Sequence, residues 1–136
     1  MKTKVKSHIL IADDEKHTRL ALDLVLRQAG FQVSVATDGH EAFETVIRQA
    51  GGKNPVTLII TDVFMPRIDG LKLLELLNNQ GFAIPVIVIT GYGNSELILK
   101  LRSRGFAGYL DKPFVPEEIL SRVSKVLEEN VTPLEA

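Results

Sequence analysis

The chain contains five short apolar runs separated by longer segments. The runs are HILIA at 8–12, FQVSV at 31–35, TLIIT at 57–61, VIVIT at 86–90 and AGYL at 107–110. A short, nearly continuous apolar run is typical of a strand that is covered on both faces. The second run differs, because Gln32 and Ser34 alternate with its apolar residues. This alternation favours an edge strand with one wetter face.

The segments between the runs place apolar residues at helical spacing, which predicts amphipathic helices. The predicted helices cover 15–29, 39–50, 70–80, 94–104 and a last segment that begins near Pro116. Gly30 and Gly105 follow the first and fourth helices and suit C-terminal stops. In the fourth helix, Leu97, Ile98 and Leu99 are consecutive, so we expect that they do not all face the core.

Strands that alternate with helices imply parallel pairing through right-handed crossovers. The flavodoxin-like, doubly wound (βα)5 arrangement puts the second strand at an edge, with five parallel strands in the order 2-1-3-4-5. We expect residues 1–136 to form a single domain with a core at about 8–129. A short N-terminal arm and a frayed C-terminal tail from Asn130 are expected outside this core.

Composition excludes several classes of function. The chain is 45% hydrophobic and 24% charged, with a formal net charge of -1, so it has no bulk basic field for nucleic acid. It has no cysteine, which excludes disulfides and thiolate metal sites. No stretch approaches the roughly 20 apolar residues of a membrane span. We therefore expect a cytoplasmic protein without direct nucleic-acid binding and without membrane contact.

Reactive residues stand at the ends of four apolar runs. Asp13 and Asp14 follow the first run, Asp62 the third, Thr90 closes the fourth and Lys112 follows the fifth. Carboxyl ends of parallel strands meet at one crevice, so we expect all five residues to converge at a solvent-reached site. There, close carboxylates repel one another and need a cation.

Two kinds of chemistry suit these residues. Mg²⁺ binds carboxylate and phosphate oxygens, and an aspartate such as Asp62 can carry a phosphoryl group. Thr90 and Lys112 would then bind phosphoryl oxygens. Structural roles remain open for each residue: Asp13 and Asp14 could cap the next helix, and Lys112 could pair with an aspartate.

This ordered set resembles the receiver domain of two-component response regulators over about residues 8–129. The acidic pair of that family matches Asp13 and Asp14, and its phosphoacceptor matches Asp62. The motifs after the acceptor match Met65-Pro66 and Asp69-Gly70. The hydroxyl residue after strand 4 matches Thr90, the Lys-Pro-Phe after strand 5 begins at Lys112, and the switch aromatic three residues earlier matches Tyr109.

The resemblance implies a phosphorylation-activated signalling switch. A sensor histidine kinase or a phosphotransfer protein would donate a phosphoryl group to Asp62 in a magnesium-dependent reaction. The implied metal ligands are Asp13, Asp14, Asp62 and the backbone carbonyl of Phe64. The chain would not be an enzyme in the usual sense, since it would catalyse only its own phosphorylation and dephosphorylation.

The resemblance also implies a path for the signal. Thr90 would move toward the phosphate and Tyr109 would follow it. The helix 4–strand 5–helix 5 face would then change, an unknown downstream protein partner would read it, and a homodimer could form through it. The Lys112-Pro113 peptide bond is expected to be cis.

Three alternatives belong to other classes. A degenerate receiver would be a phosphate-independent protein-binding module, and the intact residue set argues against it. A phosphatase with an aspartate nucleophile resembles Asp-x-Asp-x-Thr, whereas Asp62-Val63-Phe64 lacks the second aspartate. A nucleotide or flavin binder would need a glycine-rich loop after the first strand, where acidic residues stand instead.

Overall fold

A computed structural model describes residues 7–91 and 93–129, which form one parallel five-stranded sheet in the order β2-β1-β3-β4-β5. The strands are β1 His8–Ala12, β2 Gln32–Ala36, β3 Leu58–Asp62, β4 Val86–Thr90 and β5 Gly108–Asp111. The helices are α1 Lys16–Gln28, α2 Gly39–Gln49, α3 Gly70–Asn79, α4 Ser95–Ser103 and α5 Pro116–Glu129. The predicted flavodoxin-like fold is confirmed. The expected N-terminal arm and frayed tail lie outside the described residues.

Three strands begin and end one residue later than their apolar runs predict. β2 ends at Ala36, opposite Ala12, and β5 ends at Asp111, opposite Thr90. β3 likewise ends at Asp62, which pairs with Ile89. Backbone pairing does not depend on side-chain polarity, so the ladder continues one residue past each apolar run, through a polar residue in β3 and β5. The acidic residue at the end of β3 is therefore held in the sheet itself.

The edge strand β2 is wetter than predicted at its carboxyl end. Val33 is buried, as the alternation indicates, but Val35 on the same face is 46% exposed. Val35 has Ile11 of β1 beside it, and within residues 7–91 and 93–129 no strand lies on its other side. A period of two assigns the face of a residue, but it does not show how far the covering helix extends along that face.

Both faces of the sheet are packed. On one face, isoleucines of β1, β3 and β4 pack against α1 and α5, with Leu22, Leu26 and Val123 among the buried helix residues. On the other face, Leu10 and Ile59 pack against α2 and α3 residues such as Leu73. The two layers leave the carboxyl edge of the sheet for loops, which is where the reactive residues stand.

Helix α4 is anchored more thinly than the other helices. Leu101 is its buried residue, within a small cluster with Val63 and Val88. Leu97 packs at the margin of that cluster, and Leu99 is 67% exposed. The expectation that the consecutive apolar residues of α4 cannot all face the core is confirmed. Among the described helices, none is long and apolar enough to cross a membrane.

Two leucines on α1 provide a matched test of the packing. Leu22 is 1% exposed, so Leu22→Ala should lower the free energy of unfolding by about 2–5 kcal/mol. Leu24 on the same helix is 59% exposed, and Leu24→Ala should change it by less than about 0.5 kcal/mol. Urea unfolding followed by circular dichroism measures both. Equal losses would contradict the placement of α1 on the sheet.

Candidate functional site

The predicted site residues meet at the carboxyl edge of the sheet. Asp13 and Asp14 follow β1, Asp62 ends β3, Thr90 ends β4 and Lys112 follows β5. The parallel register aligns these strand ends. The loops that follow enclose an open crevice of about 870 Å³, lined by Asp14, Asp62, Phe64, Gly91 and Lys112 among others. The predicted convergence is therefore present in the structure.

Three carboxylates lie close enough together to hold one metal ion. Asp13, Asp14 and Asp62 each offer one carboxylate oxygen, and these oxygens all lie within 4.8 Å of one another. Asp13 and Asp62 are buried, whereas Asp14 is exposed. An all-oxygen set open to water on one side fits Mg²⁺, which keeps several waters and uses few carboxylates. The donor set therefore fits the cation that the sequence predicts.

Phe64 lies in the same crevice with half of its surface exposed. Its backbone N–H donates a hydrogen bond of 3.1 Å to Oδ1 of Asp62. This bond orients one oxygen of the Asp62 carboxylate, so the position of the Phe64 backbone matters for the site. The role of the Phe64 carbonyl as a metal ligand stays a prediction.

Lys112 supplies a positive charge to the carboxylate cluster. Its Nζ lies 2.7 Å from Oδ2 of Asp62, 2.9 Å from Oδ2 of Asp13 and 3.4 Å from Oε1 of Glu15. Burial alone would lower the pKa of Lys112, but its hydrogen bonds to Asp62 and Asp13 outweigh burial and raise that pKa above its ordinary value. The ammonium is therefore charged at any physiological pH. The expected cis Lys112-Pro113 bond is present.

Burial is the main electrostatic cost at Asp13. It raises the pKa of the Asp13 carboxyl above its ordinary value of 3.8, although hydrogen bonds from Lys112 and the Glu15 backbone act in the opposite direction. The charge of Asp62 adds a smaller increase. The sequence predicts repulsion between the crowded carboxylates. In the structure, burial affects the pKa of Asp13 more than the charge of Asp62 does.

Asp13 also has a structural role, although it does not cap a helix. The N-cap of α1 is Glu15, whose side chain makes no capping hydrogen bond. Oδ1 of Asp13 accepts a hydrogen bond of 2.8 Å from the Glu15 backbone N–H, and Arg19 donates to the Asp13 carbonyl. Asp13 thus stabilises the turn of the chain from β1 into α1. The alternative that Asp13 or Asp14 is the cap of α1 is not supported, since Glu15 occupies that position.

Glu15 is a site residue that the sequence argument missed. Besides its contact with Lys112, its carboxylate accepts a hydrogen bond of 2.6 Å from the Thr18 hydroxyl. That bond and the Lys112 charge lower the pKa of Glu15 below its ordinary value. The available signal was its place as the third acid in Asp13-Asp14-Glu15, at the same strand end.

Thr90 corrects another expectation. The sequence places it in a solvent-reached crevice with Lys112, but Thr90 is 0% exposed. As the last residue of β4 it pairs opposite Asp111, and its carbonyl accepts the Lys112 backbone N–H at 3.1 Å. The pairing of β4 with β5 thus extends to Lys112, beside Thr90. Any displacement of this residue must move its neighbours.

Tyr109 belongs to β5, and its side chain lies against the loop that follows β4. Its hydroxyl donates to Oδ1 of Asp111 at 2.5 Å, and its ring packs beside the cluster of Val88 and Leu101. A Cβ at Gly93 would overlap the Tyr109 hydroxyl, so the loop passes closely against it. Desolvation by burial, followed by the Asp111 carboxylate, raises the pKa of Tyr109 to about 12.

Comparisons with known sequences agree with this site. The family model of the response regulator receiver domain matches residues 9–124. The response regulator MprA of Mycobacterium leprae is 38% identical over 120 residues, which are 88% of this chain and 50% of that protein. The C4-dicarboxylate transport transcriptional regulatory protein DctD of Pseudomonas aeruginosa is 33% identical over 90% of this chain and 26% of its own length. The chain thus spans half or less of these relatives.

Solved structures agree as well. The receiver domain of the Francisella response regulator 1452 matches with a TM-score of 0.81 at 29% identity, over 93% of this chain and 100% of that one. The chemotaxis protein CheY4 of Vibrio cholerae matches with a TM-score of 0.79 at 27% identity, over 90% and 99% of the two chains.

The raised pKa of Asp13 predicts that removing its charge, as in Asp13→Asn, stabilises the folded protein at neutral pH. An acid with a raised folded-state pKa contributes stability below its unfolded pKa, here 3.8, and that contribution is lost as the pH rises through the folded value. Asp13→Asn should therefore raise the melting temperature at neutral pH without divalent cation, while Lys112 keeps Asp62 as its partner. The gain should disappear toward a pH of about 4.

Thermal unfolding in the presence of EDTA, followed by circular dichroism over this pH range, measures the effect. Asp14→Asn is the comparison variant and should gain less, because Asp14 is exposed. A lower melting temperature for Asp13→Asn at neutral pH would show that its ion pair with Lys112 outweighs its burial.

Proposed function

Since this chain belongs to the response regulator receiver domain family, we propose that it is a phosphorylation-activated signalling switch. Asp62 accepts a phosphoryl group from a sensor histidine kinase or a phosphotransfer protein. The observation that carries the proposal is the position of the Asp62 carboxylate. It lines an open crevice and contacts Lys112 through Oδ2. It also lies close enough to the Asp13 and Asp14 carboxylates for the three to bind one metal ion.

The transfer converts the Asp62 carboxylate to an acyl phosphate. One carboxylate oxygen attacks phosphorus, the new P–O bond forms, and the P–N bond to the donor histidine breaks with its electron pair returning to the imidazole ring. Lys112 then binds a phosphoryl oxygen. Asp13, Asp14, Asp62 and the Phe64 carbonyl would hold Mg²⁺, which would supply further positive charge against the phosphoryl oxygens. Autocatalysis of this kind does not make the domain a metabolic enzyme.

The switching step passes through Thr90 and Tyr109. The Thr90 hydroxyl bonds the phosphoryl group, and Tyr109 takes up the space that Thr90 leaves. Because Thr90 is fully buried and α4 has Leu101 as its buried residue, the movement is absorbed most easily by α4 and by the adjoining β5 and α5. A downstream protein partner reads this α4–β5–α5 face, which is also the face for a possible homodimer.

The proposal also covers the cellular location of the domain and the molecules that it contacts. We place it in the cytoplasm, without direct contact to nucleic acid. DctD and MprA are longer than this chain, and transcriptional regulation is stated by the name of DctD for that protein alone. The alternative of a phosphate-independent binding module is less well supported, because Asp62 and Lys112 keep their contacts.

Acetyl phosphate tests the phosphoryl acceptor directly. With Mg²⁺, the wild type should gain the mass of one phosphoryl group, and the adduct should be lost in hydroxylamine, as expected of an acyl phosphate. Asp62→Asn should gain none, and EDTA should prevent labelling. Asp23→Asn, which changes an α1 carboxylate paired with Arg27, is the matched control and should label like the wild type. Undiminished labelling of Asp62→Asn would refute the assignment.

A further inference from the structure

The β3–α3 loop, residues 63–69, carries Phe64 and begins directly after Asp62. A glycine holds its two ends together. Gly70 donates its backbone N–H to the Val63 carbonyl at 2.9 Å. A Cβ at Gly70 would lie 2.7 Å from the Asp62 carbonyl oxygen, so the end of the loop returns against its start.

A second glycine, from a different element, contacts the same loop. Gly39 is the first residue of α2, and its N–H donates to the Ile68 carbonyl at 3.0 Å. A Cβ at Gly39 would overlap the Ile68 carbonyl oxygen and lie 2.8 Å from its carbon. Gly39 does not have a positive φ. Glycine is therefore required here by the space available, and not by the backbone conformation.

The contact satisfies polar groups that would otherwise lack partners. The first N–H groups of a helix have no intrahelical acceptor. In α2 the Asp38 side chain accepts the Glu41 N–H at 2.8 Å, and the Ile68 carbonyl accepts the Gly39 N–H. The N-terminus of α2 and the β3–α3 loop thus complete each other's hydrogen bonding.

The loop conformation needs such external support. Arg67 has a φ of 68°, in the left-handed region that non-glycine residues seldom adopt. Its Nη1 lies 3.4 Å from Oδ2 of Asp38, but 61% of the Arg67 side chain is exposed. An ion pair this open to water stabilises little. The backbone contact at Gly39 therefore remains the stronger constraint on this part of the loop.

We propose that Gly39 is a positioning residue for phosphoryl transfer to Asp62. Its contact with the Ile68 carbonyl fixes the β3–α3 loop, and this loop places the Phe64 N–H that orients Oδ1 of Asp62. Ile68 and Met65 pack in the same core layer, so a displacement of Ile68 is passed to the residue next to Phe64. The inference rests on the proposed function, since it concerns the same reaction.

Gly39→Ala tests the inference, with Gly51→Ala as the matched control. A Cβ at Gly51 would meet no atom within 4 Å, and Gly51 has no positive φ. Initial rates of labelling by acetyl phosphate with Mg²⁺ are measured over a range of acetyl phosphate concentrations. The maximal rate of Gly39→Ala should fall at least about tenfold with the half-saturating concentration little changed. Gly51→Ala should match the wild type.

Asp38→Asn separates the backbone contact from the ion pair. Asparagine still caps a helix but loses the charge that faces Arg67, so its labelling rate should stay near that of the wild type. An equal loss in Asp38→Asn would assign the positioning to the ion pair and would overturn the role of Gly39. Thermal unfolding of each variant shows whether it is folded at the assay temperature.

Hydrogen exchange of the wild type provides a readout that needs no variant. The amide of a first helical residue ordinarily exchanges quickly, so protection of the Gly39 amide reports its bond to Ile68. Fast exchange there would overturn the inference, as would wild-type labelling rates in folded Gly39→Ala, and both results would leave Asp62 as the acceptor. A wild type that takes up no phosphoryl group would refute the proposed function itself, and the positioning role with it.

Discussion

The ammonium of Lys112, held between Asp13 and Asp62, is the interaction on which the geometry of the site depends. Its nitrogen lies 2.7 Å and 2.9 Å from the two carboxylates, both of which are buried. An unpaired buried charge costs several kcal/mol, so these aspartates could not stay ionised side by side without a cation. The lysine follows β5 and Asp13 follows β1. One side chain therefore ties together strand ends that are separated by two other strands.

The parallel sheet makes this arrangement possible and also makes it asymmetric. The strands end at a common edge, so the aspartates and Lys112 converge there, outside the two apolar layers of the core. The helices α1, α2, α3 and α5 each have two or more buried residues, whereas the buried residue of α4 is Leu101. Thr90 ends the strand that precedes α4 and is fully buried. A change of charge at Asp62 would accordingly displace α4 more readily than the other helices, because α4 is the least firmly packed on the core.

The amino-acid sequence predicts the large features because each has a local signature. Apolar runs indicate strands covered on both faces, and the alternation in FQVSV indicates the edge strand. Together these signals give the sheet order and bring Asp13, Asp14, Asp62 and Lys112 to one place. The one-residue shifts of β2, β3 and β5 were missed, because an apolar run reports burial while the ladder depends on backbone pairing.

Other features depend on contacts between segments that are distant in the chain, and such contacts cannot be predicted from a single sequence. The sequence predicts that Thr90, at the end of a strand, is open to the crevice, whereas in the folded protein its neighbours bury it completely. For Gly39, the sequence predicts only the first residue of a helix. Its significance appears only when the Ile68 carbonyl is found where a Cβ would lie.

We propose that a phosphoryl group on Asp62 changes the conformation of the α4–β5–α5 face. Amide chemical shifts recorded with Mg²⁺, with and without beryllofluoride as a phosphoryl mimic, measure this change. We expect shifts that extend from the crevice loops through residues 94–127 and are much smaller over α1, with no response in Asp62→Asn. Changes confined to the loops around Asp62, with residues 94–127 silent, would contradict it.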